Sequence, residues 1–341
     1  MARSKNSGRI LRILALLLVL AAVAIGVLAG LVQQFADQPL RLPADGPHLV
    51  IVPGDHFAQV IGKLRAAGVK QGYALEWKVL AMRLHVASRL QAGEYELSAP
   101  LTPRALLLKL ARGEVITYRF TLVEGKNFRE LRAALLAEPN LAHDSATLSD
   151  TEIMTRLGRE NILAEGRFLP ETYYIARGSS DLALLGRAAK AMDSTLEKAW
   201  KTRSADLPLA SPEELLTLAS IVEKETGQAS ERAQIAGVFI RRLRIGMRLQ
   251  TDPTVIYGIG SAYDGNIRKK DLETDTPYNT YTRAGLPPSP ITMPGKAAID
   301  AAAHPIEGNA LYFVARGNGE HYFSATLDEH NAAIRKYQLG Q

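Results

Sequence analysis

Apolar and polar positions change their pattern twice along the chain, and each pattern predicts a different kind of element. From Ile13 to Val32 the run ILALLLVLAAVAIGVLAGLV carries no charge. Twenty such residues coiled as a helix reach about 30 Å, enough to cross the hydrocarbon core of a bilayer. Beyond residue 33 the periods become short and mixed. His48–Val52 (HLVIV) predicts a strand and Pro53–Gly54–Asp55 a turn. Phe57–Ala67 carries apolar residues at helical spacing and stops at Gly68. Ala74–Leu84 predicts a second helix, Gly93–Leu97 a strand, and Pro103–Leu110 a third helix closed near Gly113.

The next segments repeat this grammar. Thr117–Val123 predicts a strand, and Arg129–Leu136 a helix. The turn between them, Glu124–Gly125–Lys126–Asn127–Phe128, echoes Pro53–Gly54–Asp55–His56–Phe57, which suggests one strand–turn–helix unit used twice. Two copies are too few for a solenoid. Glu165 to Tyr174 (EGRFLPETYY) reads as an ordered loop near a groove. Asp181–Trp200 is a long amphipathic helix with Leu182, Leu185, Ala189, Met192 and Leu196 on one face.

Ser211–Pro212–Glu213–Glu214 is a helix start with a Ser N-cap, Pro at the first helical position and Glu at N3 for a capping box. The helix runs to about Gly227, with Leu215, Leu218, Ala219 and Val222 as its buried stripe. Glu223 and Glu225 follow on the two flanks of that stripe, at about 100° per residue. A carboxyl on the shoulder of an apolar helix loses water, which raises its pKa and lets it act as a general acid. Periodicity leaves the two glutamates tied, and a solvated helix end is the plainer reading of both. Gly246–Gly258, Tyr278–Tyr281 and Gly285–Ile291 set Gln250, Asp252, Tyr257, Asn279 and Tyr281 on Pro- and Gly-stiffened loops. Aromatic faces and amide or carboxyl groups bind sugars in this way, although Pro and Tyr can equally shape a structural loop.

Composition narrows the chemistry. The 341 residues suggest two or three folded units, and 47% hydrophobic with 22% charged residues excludes wholesale disorder. A mean hydropathy of −0.05 argues against a polytopic membrane protein. With no cysteine there is no disulfide scaffold, thiolate metal site, cysteine nucleophile or lipidated N-terminus. The net charge of +6 invites nucleic acid as a partner, but Arg3, Lys5, Arg9 and Arg12 all precede the apolar run. Without those four the remainder is close to +2, so the excess is a topology signal with the N-terminus cytoplasmic. Nucleic-acid binding is not expected. Ala22–Val23–Ala24 has the form of a signal-peptidase site, but the run continues for eight residues beyond it, which favours an uncleaved anchor. H-E-x-x-H, S-x-x-K, G-x-S-x-G and Gly-rich phosphate loops are all missing, and His304, His321 and His330 match no short metal motif.

Several segments together resemble the YceG-like (MltG) family of endolytic murein transglycosylases. They are Ala219–Glu225 (ASIVEKE), Val238–Leu243 (VFIRRL), Leu249–Gly258 (LQTDPTVIYG), Tyr278–Tyr281 (YNTY), Gly285–Pro288, Ala303–Pro305, Leu311–Val314 and Glu329–Asn331. The Glu165 loop resembles the family's E-G-x-x-x-P-x-T-Y element. Arg241 departs from the family, which often has Asn there. The resemblance implies an α+β chain in four parts. These are a cytoplasmic basic tail (1–12), a single transmembrane helix (13–32), a LysM-like α/β subdomain (33–118) and a mixed α+β YceG-like catalytic domain (119–341).

It further implies an inner-membrane lyase facing the periplasm, without cofactor or metal, that cuts peptidoglycan glycan strands and leaves 1,6-anhydro-MurNAc ends, terminating their elongation. Penicillin-binding synthases are implied partners. Glu223 maps onto the family's catalytic residue, Glu225 becomes a supporting one, and Gln250, Asp252, Tyr257, Asn279 and Tyr281 would bind substrate or support the site. A hydrolytic muramidase using Glu223 with Asp252, and a non-catalytic glycan-binding scaffold, are the competing functions.

Overall fold

The computed structural model describes residues 4–43 and 46–340. Arg3 of the basic flank lies outside the described residues, as does the side chain of Lys5. The chain divides into two compact units, residues up to Tyr118 with Ala176–Gly178, and Arg119–Ile175 with Ser179–Gln341. Helices and short strands are mixed in both, so the chain is α+β.

The first unit begins with one 34-residue helix, α1 (Ser4–Asp37). Among the described residues it is the one helix long and apolar enough to cross a membrane, over Leu11–Asp37. Then come β1 (His48–Ile51), α2 (Phe57–Ala66), α3 (Ala74–Arg83), β2 (Gly93–Glu96) and α4 (Pro103–Arg112). β1 and β2 pair antiparallel, with Leu49 opposite Tyr95. Thr102 caps α4 by accepting from the Ala105 N–H, and Gly113 closes it in the left-handed region at φ +68°.

The apolar run of α1 does not stop where the folded unit starts. Val32, Phe35 and Ala36 are buried in the same core as Trp77, Leu80, Leu106 and Leu110, and Leu28 packs against it. Phe35 meets Trp77 edge-on with ring centroids 5.1 Å apart. Large apolar side chains of this kind contribute about 1.5–3 kcal/mol each on full burial. A boundary at residue 33 therefore cuts through a shared core.

The second unit contains β3 (Thr117–Thr121, which starts in the first), α5 (Phe128–Ala137), β4 (Leu141–Ala142), α6 (Asp150–Arg156), β5 (Thr172–Ala176) and β6 (Ser179–Ser180). Five helices follow: α7 (Asp181–Thr202), α8 (Pro212–Glu225), α9 (Arg232–Arg244), α10 (Asp252–Ile259) and α11 (Lys269–Glu273). The unit ends with α12 (Lys296–Ala303), β7 (Tyr312–Ala315), β8 (His321–Ser324) and α13 (Leu327–Gln338). Sheet structure is sparse: β3 pairs with β5, β4 with β6 in parallel, and β7 with β8 antiparallel.

The helices provide the core. α8 is buried at every position from Leu215 to Val222, so the stripe read from the sequence is only part of its contact surface. A helix buried all round needs small residues where neighbours approach, and Ala219 and Ser220 supply them beside Ile235, Phe239, Ile299 and Ala302. On α7 the buried face is Leu184, Leu185, Ala188, Ala189, Met192, Leu196 and Ala199, with Leu182 at its edge.

Candidate active site

The helix start at Ser211 forms as its residues suggest. Ser211 Oγ accepts from the Glu214 N–H at 3.3 Å, and Pro212 occupies the first turn. The Glu214 carboxylate bonds the Ala210 N–H at 2.6 Å, one residue further back than a capping box requires. With α8 held at its start and packed along its length, its last turn is placed by the core. Glu223 and Glu225 leave that turn in different directions.

Glu223 turns toward the start of α12 and the loop after β3. Its side chain is only 5% exposed. Oε2 accepts from the Gly295 N–H at 2.9 Å, and Oε1 lies 3.5 Å from the Arg232 guanidinium. Arg232 also faces Glu124 at 4.0 Å, and its buried Nε has no hydrogen-bond partner among the described residues. Burial raises the pKa of Glu223, and the nearby Glu124 adds to the rise. The Gly295 N–H, Arg232 and Lys224 oppose it without cancelling it. The result is a carboxyl that keeps its proton above the ordinary range while partners fix both oxygens.

The loop beside Glu223 is stitched from two distant segments. The Gly125 N–H donates to Met293 O at 3.0 Å, the Met293 N–H donates to Lys126 O at 2.8 Å, and Thr292 Oγ1 donates to the same oxygen at 2.8 Å. Gly125 has φ +74°, and a Cβ there would stand 4.0 Å from Glu223 Cγ. At Gly295 a Cβ would come within 2.0 Å of Glu124 Oε1, so the Glu124 side chain occupies the space that this glycine leaves open.

Glu225 turns the other way and accepts from Thr251 Oγ1 at the start of α10. Thr251 belongs to a buried hydroxyl cluster in which Thr280 Oγ1 accepts from the Thr251 N–H at 3.1 Å and lies 2.9 Å from Thr254 Oγ1. Burial raises the Glu225 pKa and Asp252 adds to it, while the Thr251 bond lowers it. Glu225 thus ties α8 to the Gln250–Tyr257 segment.

The five loop residues fall into three settings. Gln250 is exposed, sits at φ +47°, and donates its N–H to Thr280 O at 3.1 Å. Asp252 is exposed and accepts from the Tyr281 hydroxyl at 2.6 Å. Burial, with Asp252 adding to it, raises the Tyr281 phenol. Asn279 is buried: Nδ2 donates to the carbonyls of Asp271, Leu272 and Thr274, and Oδ1 accepts from the Tyr281 N–H. Its amide faces the main chain and shapes the loop that carries Tyr281.

Tyr257 leads to Glu165, a residue that periodicity and residue type alone do not mark as part of a site. Its hydroxyl donates to Glu165 Oε2 at 3.2 Å, and its ring lies 4.8 Å from that of Tyr278. Glu165 is buried, and both its oxygens stand 3.1 Å from the Phe128 N–H. Burial pushes its pKa up to about 7, against the lowering effect of the Phe128, Tyr257 and Gly166 bonds. Glu165, Tyr257 and Tyr278 line a cavity of about 790 Å³. Gly125 and Lys224 line it too, each a chain neighbour or close contact of the Glu223 corner, whereas Glu223 itself lies outside the lining.

Glu165 opens the E-G-x-x-x-P-x-T-Y element, so the sequence does carry a signal for it. Arg232, Glu124 and Gly295 carried none, because only folding brings them to Glu223. Arg241 has a simpler role: Nε donates to Ala310 O at 2.7 Å and Nη1 to Ile306 O at 3.0 Å, tying α9 to the loop before β7.

Comparison with known proteins agrees with these motifs. The YceG-like family profile matches residues 49–336. An endolytic murein transglycosylase of Bacillus subtilis strain 168 is 35% identical over 268 residues, which is 74% of this chain and 74% of that protein. One from Streptococcus pneumoniae serotype 2 is 27% identical across 95% of this chain, which spans 65% of the pneumococcal protein's length. The crystal structure of a YceG-like protein from Listeria monocytogenes superposes with a TM-score of 0.55 at 30% identity, covering 84% of this chain and 98% of that one. The chain belongs to the YceG-like family.

Proposed function

We propose that the chain is a membrane-anchored endolytic lytic transglycosylase of peptidoglycan, with Glu223 as its single acid and base. The observation that carries this reading is the Glu223 carboxyl itself, 5% exposed and positioned by Gly295 and Arg232. The names of the relatives point to the same substrate class.

A lytic transglycosylase needs one such group where an ordinary glycosidase needs two. Protonated Glu223 gives its proton to the glycosidic oxygen between N-acetylmuramic acid and N-acetylglucosamine, and that C–O bond breaks. The carboxylate left behind removes the proton from the muramyl C6 hydroxyl, whose oxygen closes onto C1 of the same ring. Glu223 is then protonated again, and no water is consumed. The nucleophile is part of the substrate, so its effective concentration is high. Arg232 restrains the pKa of Glu223 and steadies its carboxylate phase. Asp252 with Tyr281, and Tyr257 in the cavity wall, hold the glycan. Glu225 and Asn279 keep those loops in place.

The order β1–α2–α3–β2 supports reading residues 33–118 as a LysM-like subdomain that precedes the catalytic domain in the chain. The length and exposure of α1 support a single crossing of the inner membrane. The basic flank orients the N-terminus to the cytoplasm and the two units to the periplasm. There the enzyme would act on strands being made by penicillin-binding synthases. Digestion of purified peptidoglycan by the full chain in detergent tests the reading. Anhydro ends are expected from the native protein and none from Glu223→Gln. Reducing ends would instead assign a hydrolytic muramidase, and binding without cleavage a scaffold.

A further inference from the structure

The C-terminal third of α1 serves two surroundings at once. Its side chains up to Leu31 are almost all exposed and apolar, while Val32, Phe35 and Ala36 are buried in the core of the first unit. Leu28, inside the apolar run, also packs on that core. If the Ile13–Val32 run fills the hydrocarbon layer, Leu31 stands at the boundary with the headgroups. The folded unit reaches that depth with no intervening linker.

A second cavity, about 510 Å³, opens at this level between α1 and the residues around the start of α3. Leu31 and Phe35 alternate with Gln34 and Gln38 on one wall, with Arg65, Lys70, Tyr73 and Glu76 opposite. Gly72 makes the cavity's close corner possible, since a Cβ there would lie 2.2 Å from the Phe35 ring. Arg65 donates one N–H to Lys70 O and another to Gly72 O, which among the described residues leaves three of its guanidinium hydrogens for a ligand. Lys70 is exposed and lines the same cavity. The lining holds one acid, Glu76, whose Oε2 accepts from the Tyr73 N–H at 2.6 Å, and the cations Arg65 and Lys70 outnumber it. Tyr73 is 80% exposed and Leu75 57%. An exposed tyrosine beside an apolar residue is unfavourable in water and well suited to a membrane interface.

We infer that this cavity is a phospholipid site, with the lipid phosphate between Arg65 and Lys70, the Tyr73 ring at headgroup level and an acyl chain along Leu31. Its occupant holds the first unit on the membrane surface. A lipid would cover exposed Leu31 and the Tyr73 ring while its headgroup meets the polar lining, whereas a soluble anion would leave Leu31 and Tyr73 in water. The inference rests on the reading of α1 as a membrane crossing.

The absence of cysteine makes single-site spin labelling clean. The full chain, labelled separately at Leu20→Cys, Tyr73→Cys and Val52→Cys, is placed in phosphatidylcholine vesicles with phosphatidylglycerol. Collisions with oxygen and with a water-soluble nickel complex then report depth. The expected order is hydrocarbon at 20, headgroup at 73 and water at 52. A label at 73 as wet as that at 52, with 20 in hydrocarbon, overturns the lipid site and leaves the anchor standing. A wet label at 20 overturns both.

Lipid carried with the full chain into native mass spectrometry provides the second measurement. Lys70→Glu should lower retained phosphatidylglycerol by about tenfold or more. Equal retention in Lys70→Glu, or displacement of the lipid by millimolar inorganic phosphate, contradicts the assignment.

Discussion

Two copies of one strand–turn–helix unit stand in this chain, and they differ in what their turns face. In the first, β1 leads through Pro53–Asp55 into α2, with Gly54 at φ +91°. Asp55 closes that turn on itself, accepting from the Val52 N–H at 2.8 Å and from Lys63 about two helical turns on. In the second, β3 leads through Glu124–Lys126 into α5 with Gly125 at φ +74°. Here Lys126 takes the place of the closing acid, and its carbonyl accepts from both Met293 and Thr292. Glu124 faces Arg232, and the Phe128 N–H is held by Glu165. Local geometry is the same in both, but only the second turn leaves its polar groups open to the rest of the fold. A self-contained turn makes scaffold, and an open one can form the wall of a site.

The sharpest way to break this contrast is at the residue the second turn faces. Glu223→Gln should reduce glycan cleavage by roughly a thousandfold, the scale of a lost general acid. Its unfolding curve should match the native protein's, because a neutral amide can still accept from Gly295. Arg232→Met should lower kcat by about tenfold, since the positive charge beside the developing carboxylate is gone. Arg232 also lowers the Glu223 pKa, so its loss should move the high-pH limb of the activity profile upward. A limb that stays in place or moves down would remove Arg232 from the account.

Glu165 tests the anchor of the second turn through stability. Its pKa rises from 4.5 to about 7 on folding, so between those values the folded state binds more protons than the unfolded one. Its contribution is therefore fully present below pH 4.5 and is lost as pH rises through 7. Glu165→Gln should be nearly neutral at low pH and stabilise by on the order of 2 kcal/mol at pH 8, as denaturant titrations would measure. The smallest and most direct comparison is Gly54→Ala against Gly125→Ala. Each forces a side chain into positive φ and should cost about 1–2 kcal/mol. Only Gly125→Ala should also slow cleavage, since its turn lies against Glu223 and is bonded to Met293 O, and backbone strained at positive φ would shift that wall.

What could be read from the sequence was what neighbours in the chain decide. The Ser211–Pro212 start, the Gly113 stop and both Gly turns depend on residues within one helical turn, and they form where the pattern places them. The tie between Glu223 and Glu225 could not be broken by periodicity. What separates them is Gly295, 72 residues from Glu223, and Thr251, 26 residues from Glu225. The same holds for Asn279, whose type suggested a sugar ligand and whose amide is engaged with local carbonyls. A single stripe also understates burial around α8, because neighbours cover the far-side Leu216 and Ile221 as well, and Thr217 and Ser220 are buried with their hydroxyls bonded within the helix.

In the proposed mechanism Glu223 moves one proton out and one back while the substrate supplies its own nucleophile. Digestion in water enriched in heavy oxygen tests it most directly, with the released muropeptides weighed by mass spectrometry. Intramolecular closure predicts products one water lighter than hydrolysis would leave, with no heavy oxygen at C1. Heavy oxygen at C1, formed at a rate that Glu223→Gln abolishes, would make water the nucleophile and contradict the account.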